Sequence, residues 1–156
     1  MVKYRFRFRF AVIASAYILF LSGTAHAGDH MPKKLLTEQF TKTIMDVRTG
    51  ATPTIRDEAA QHLAQLTRGI DPEDVDDKTI ADLVSLLDLP VGRYWVAVCL
   101  GNLGPRAKIA IPKLQKLLTE EDCLQVSKSA AGGIRYALTK MGVKPPPRHT
   151  CETTSK

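Results

Sequence analysis

Two apolar runs with helical spacing meet at Leu103-Gly104-Pro105, and no other point in the 156-residue chain restricts its path as strongly. Glycine readily takes the left-handed conformation that closes a helix, and Pro105 has no amide hydrogen with which to continue the ladder. The chain must turn there. Pro112 falls inside the following apolar run, where it would cost about 3 kcal/mol in a helix interior. It therefore marks the first turn of the principal helix, or a kink between a short lead-in and that helix. Neither rod of such a pair can hide its apolar stripe alone, so each must stack on neighbours.

The N-terminus carries a different message. Lys3, Arg5, Arg7 and Arg9 precede an uncharged run from Phe10 to Leu21, followed by Ala25-His26-Ala27. This is the pattern of a secretory signal peptide spanning residues 1–27, cleaved after Ala27, which implies an exported, periplasmic protein. The competing reading is an uncleaved anchor, but a strongly apolar part of about 12 residues falls short of the roughly 20 that span a bilayer. Without residues 1–27 the chain holds 18 basic and 16 acidic side chains, a balance of +2, so the high isoelectric point belongs mostly to the targeting segment. With Lys and Asp/Glu interspersed there is no basic stripe to follow a phosphate backbone, and nucleic acid is not an expected partner.

The remaining chain reads as one domain, residues 28–142, with a Pro-rich tail over 143–156. Six helices and no strand are expected. The first runs from Lys33 to Val47, with Leu36, Phe40, Ile44 and Val47 inward, and the second opens at Thr52-Pro53 with Ile55, Ala59, Leu63 and Leu66 on one face. The third spans Asp77–Asp88, capped by Asp77. The fourth, Gly92–Leu103, is apolar or small nearly all round, which places it in the middle of a stack. The fifth covers Ile109–Thr119 and the sixth Leu124–Met141.

These helices pair into three repeats. Ile55-Arg56-Asp57-Glu58-Ala59-Ala60 has an echo 37 positions on, where Arg93 and Ala97 match Arg56 and Ala60. A third copy, Val126-Ser127-Lys128-Ser129-Ala130-Ala131, keeps the paired alanines but has Ser127 in place of Arg. Its register is divided: Leu103-Gly104 against Met141-Gly142 gives an offset of 38, the alanine pair 34. With the Gly104-Pro105 corner, this resembles the bacterial HEAT-like repeats of the bilin-lyase type. The resemblance implies an all-α fold, a right-handed α-solenoid of about three helix pairs. It also implies that Arg56 and Arg93 fix inter-helix turns by donating to backbone carbonyls; Trp95, Cys99, Gly104, Pro105 and Pro112 read as structural from the residues themselves.

Reactive chemistry is sparse. Asp71-Pro72-Glu73-Asp74-Val75-Asp76-Asp77 lacks the Gly and Glu of a calcium loop, and Asp71 serves better as the cap of a short turn. Cys99, His62 and Asp57 can be drawn together as a triad, but Cys99 lies on the apolar stripe of its helix and suits an inert core thiol. His149 and Cys151 on a tail would hold zinc poorly. Gly132-Gly133 lies within a helical pattern and marks a close helix contact or a bend. No catalytic residue, metal or cofactor is expected.

Three cysteines in an oxidising compartment allow one bridge. If Cys99 is core, Cys123 pairs with Cys151: the sixth helix carries the chain about 25 Å away, and Val143–Cys151 can return about 30 Å when extended. Pro145-Pro146-Pro147 would stiffen that strap as polyproline II. The alternative is a free tail after Met141.

An exported helical stack without a catalytic constellation suits a non-enzymatic protein binder. Small exported helical proteins of this kind are similar to immunity proteins that neutralise peptidoglycan-cleaving amidase toxins in the periplasm. That resemblance implies a secreted amidase as the partner, with a loop or helix end of this chain inserted into the enzyme's cleft and affinity from a few anchors ringed by water-excluding contacts. Candidate contacts are the loops Asp88–Arg93 and Thr119–Gln125, hence Arg93 and Asp122, together with Tyr94, Asn102 and Arg106. An envelope adaptor with a constitutive partner is the alternative. An enzyme related to the bilin lyases is a third reading, which the export signal opposes.

Overall fold

A computed structural model describes residues 32–123 and 129–148. The signal segment 1–27, Val126, His149 and Cys151 lie outside the described residues. Among those described, all regular structure is helical: α1 Lys33–Thr49, α2 Pro53–Leu66, α3 Asp77–Leu86, α4 Arg93–Asn102, α5 Ile111–Asp122 and α6 Ala131–Lys140, with 3-10 segments at Pro72–Asp74 and Gly104–Ala110. No helix of this part is long and apolar enough to cross a membrane.

Several boundaries have a local cause. Thr52 accepts from the Ile55 amide at 3.2 Å with Pro53 opening α2, as expected. Asp71 caps the 3-10 turn through the Glu73 amide. The cap of α3 is Asp76, whose Oδ1 accepts from the Thr79 amide at 2.7 Å, rather than the expected Asp77. Gly104 adopts φ +54°, turning the chain as its composition predicts. Pro105 and Pro112 occupy first-turn positions, the former in a 3-10 lead-in broken at Ala107 (φ −95°, ψ 21°) and the latter in α5. Both expectations for Pro112 therefore hold at once.

The helices touch in two kinds of pair. Sequence neighbours α1 and α2, α3 and α4, and α5 and α6 pack together, while α2 lies beside α4, α4 beside α6, and α1 beside α3. Thus α4 meets three helices, and Val96, Ala97, Cys99, Leu100 and Gly101 are all buried. The same two-sided packing corrects α2. Its buried residues are Ala60, Leu63 and Ala64, whereas Ile55, expected inward, is exposed. A helix wedged between α1 and α4 turns its small residues inward because they allow close approach on both sides.

The sixth helix departs most from expectation, beginning at Ala131 rather than Leu124. The Ala130 amide and Ser129 hydroxyl are held by Glu121 at the end of α5, so the chain is pinned before the helix starts. α6 then matches α4 in length, and Gly142 (φ +83°) follows it as Gly104 follows α4, at an offset of 38.

Contact between α4 and α6 depends on missing side-chain atoms. A Cβ on Gly133 would lie 2.6 Å from the Tyr94 carbonyl oxygen, and one on Gly101 would lie 2.8 Å from the Tyr136 ring and 2.9 Å from the Ala137 Cα. At Gly132 the nearest atom would be 3.6 Å away, an ordinary contact. The adjacent glycines should therefore respond with opposite signs. Gly133→Ala is expected to destabilise by about 1–3 kcal/mol through overpacking against backbone, and Gly132→Ala to be neutral or to stabilise by about 0.5–1 kcal/mol as a helix-favouring change. Urea unfolding of the two variants checks both.

Candidate functional site

The first-turn ends of α2, α4 and α6 converge on one edge of the molecule and enclose a cleft of about 570 Å³. Pro53, Thr54 and Asp57 of α2 form one wall, and Pro90, Val91 and Gly92 form the rim. Arg93, Tyr94 and Trp95 form the floor, with Glu121, Ser129 and Ala130 opposite. Gly92 makes this junction possible: its φ is +79°, and a Cβ there would stand 2.6 Å from that of Ala60.

A buried ion pair holds the cleft in shape. The Arg93 Nη1 donates to Glu121 Oε1 at 2.6 Å, while its Nε donates to the Leu87 carbonyl at 2.9 Å. The other Glu121 oxygen accepts from the Ala130 amide at 2.8 Å and the Ser129 hydroxyl at 3.2 Å. One carboxylate thus joins the end of α5 to the starts of α4 and α6. Arg93 plays the role the resemblance implies, a donor to an inter-helix carbonyl. Arg56 does not: it makes no hydrogen bond among the described residues, and its buried Nε is unpartnered. Its aliphatic stem instead lies against Gly50.

Of the residues expected to meet a partner, Arg93 and Tyr94 come together here. Tyr94 is 41% exposed, with its ring edge to face with Trp95 at 5.0 Å. Asn102 and Arg106 lie at the other end of α4, occupied within the fold. The Asn102 amide donates to the Ala64 carbonyl and the Thr67 hydroxyl, both at 3.0 Å, and its oxygen accepts from the Tyr136 hydroxyl at 2.8 Å. Arg106 pairs with Asp77 at 2.6 Å and with Glu73 at 3.6 Å. Asp122 is buried against Arg135 at 2.6 Å, and Arg135 also donates to the Pro146 carbonyl. Of the expected loop Thr119–Gln125, residues up to Asp122 belong to α5. In the other loop Asp88 is bound by Lys113 at 2.7 Å.

Cys99 is an enclosed thiol. Burial pushes it up to about 12, against a partial offset by the Thr67 hydrogen bond. Asp82, by contrast, sits near the surface, and hydrogen bonds from Lys78 and Arg48 hold its carboxyl below the usual carboxylate range. Among the described residues no cluster of three His, Cys, Asp or Glu side chains could hold a metal ion.

Sequence reasoning passed over Glu121 and used Asp57 only in a discounted triad. A signal for Glu121 existed: Glu120-Glu121-Asp122 closes a helix where the macrodipole disfavours negative charge, so those carboxylates need other partners. Compared with known proteins, the chain matches no family model, no curated protein and no solved structure.

Removing one member of a buried pair strands the other charge, at about 3–5 kcal/mol. Glu121→Ala is expected to lower stability by that amount, whereas Glu120→Ala, at an exposed position, should stay within about 0.5 kcal/mol of the parent. Equilibrium denaturation of the two variants makes the comparison.

Proposed function

We propose that the protein is a non-enzymatic, exported binding scaffold, a right-handed α-solenoid of about three HEAT-like helix pairs. In this reading it serves as an immunity-type inhibitor that seats on a cell-wall-degrading amidase in the periplasm and occludes it. The pairing of sequence neighbours and the side-by-side run of α2, α4 and α6 support the solenoid. The observation that carries the binding role is the aromatic cleft. Tyr94 stands exposed on a floor fixed by the Arg93–Glu121 pair, and exposed aromatics on rigid supports are the usual anchors of protein interfaces. The chain then offers a receptor for a protruding loop of the enzyme, with the Pro90–Gly92 rim excluding water around it.

The tail belongs to the same proposal. Arg135 contacts both Asp122, one residue before Cys123, and Pro146, five residues before Cys151. Five residues span about 17 Å when extended, which supports a Cys123–Cys151 bridge strapping the tail over α5 and α6. Such a closure would contribute about 3–4 kcal/mol through the unfolded chain.

Two experiments test this. The mature chain is immobilised and used to capture envelope proteins, and any captured hydrolase is assayed for muropeptide release. The expected result is an amidase silenced by one equivalent of this protein, with Tyr94→Ala weakening capture at least tenfold and Ile109→Ala, exposed near the far end of α4, leaving it unchanged. An amidase that stays active in the complex, or equal capture by Tyr94→Ala, overturns the reading. Thiol counting of oxidised protein should find none reactive in the native state at pH 8, one after denaturation without reductant (Cys99), and three with reductant. Two or three native thiols would rule out the strap.

A further inference from the structure

We propose that the cleft at the head of α4 is an anchor site for a cationic side chain, an arginine on a protruding loop of the partner protein. The inference rests on the binding-scaffold reading and adds the chemistry of the group that is bound. Three ionisable side chains besides Tyr94 line the cleft. Two of them, Arg93 and Glu121, neutralise each other; Arg93 also donates to the Leu87 carbonyl, and Glu121 also accepts from Ser129 and Ala130. The third, Asp57, is exposed and has no hydrogen bond or ion pair among the described residues. It is the one uncompensated full charge in the lining.

The opposing contribution is the first turn of α4, whose Gly92 offers no side-chain cap. A helix N-terminus presents about half a positive charge against the whole negative charge of Asp57. The ends of α2 and α6 are already met by the Thr52 hydroxyl and the Glu121 carboxylate.

The rest of the lining suits a guanidinium. Its planar fork can take both oxygens of Asp57 while its face lies over Tyr94 or Trp95, a combination of charge-assisted bonding and cation–π attraction that a carboxylate or an aliphatic group cannot match. The Trp95 indole N–H and the Tyr94 hydroxyl have no hydrogen-bond partner among the described residues, leaving both for the backbone of the incoming loop. Pro53 and Pro90 stiffen the two sides of the opening.

Trp95 is the single tryptophan of the chain, so its fluorescence reports on the cleft directly. The probes are acetyl-arginine methylamide, acetyl-lysine methylamide and acetyl-glutamate methylamide, titrated at low salt into the mature protein and into Asp57→Asn. Expected is a saturable change with the arginine probe, a weaker one with lysine and none with glutamate. Asp57→Asn should bind the arginine probe at least fivefold more weakly, with its thermal midpoint unchanged. Glutamate binding as well as arginine, no saturable response to any probe, or an unaffected Asp57→Asn overturns the inference. A silent arginine titration with intact capture of a protein partner would sink this inference alone, whereas loss of Tyr94-dependent capture would sink the scaffold.

Discussion

One buried carboxylate organises the edge of the molecule on which its surface chemistry is displayed. Taking Glu121 and Arg93 out of water is expensive, and only dense hydrogen bonding offsets that penalty. Glu121 meets the condition with bonds to Arg93, Ser129 and Ala130, and Arg93 with a second bond to the Leu87 carbonyl. The same bonds fix where α6 begins and how α4 starts. Hydrophobic attraction is non-directional and brings the helices together without aiming their ends at one another. The ion pair supplies direction at the place where three helix ends meet.

The polar groups at the opposite end of α4 work in the same way on a smaller scale. Asn102 bridges α2 and α6, accepting from Tyr136 and donating to Ala64 and Thr67. Thr67 in turn faces the Cys99 thiol. The amide of Asn102 is satisfied at both its nitrogen and its oxygen, so this bridge adds register at little desolvation cost. Arg106 and Arg135 bind outlying segments to this frame, the first through Asp77 and the second through Asp122 and the Pro146 carbonyl.

Much of this was legible in the residues, because the strongest signals were local. The Gly104-Pro105 corner, the Thr52-Pro53 start and the Asp71 cap each depend on a few adjacent side chains, and each was found where it was expected. The inward stripe of α1 follows the same logic, since only one of its faces is covered. The errors share a different cause. Ile55 points outward because α2 has neighbours on two sides, and α6 starts late because a carboxylate from another helix holds the Ala130 amide just ahead of it. Asn102 and Arg106 looked available for a partner because nothing in a linear sequence reveals the acceptors waiting 29 to 38 positions away. The cleft itself arises from the convergence of three helix ends, which no local pattern encodes.

The paired notches between α4 and α6 carry a mechanical consequence. Gly133 admits the backbone of α4 near its start, and Gly101 admits the backbone of α6 toward its other end, so each rod supplies a gap for its neighbour. Sliding one rod along the other would drive a bulkier residue into one gap or the other. Axial slip and rolling are thus both opposed by close contacts beneath Tyr94. A floor held in this way is ordered by folding itself, so little entropy is left to lose in ordering it again.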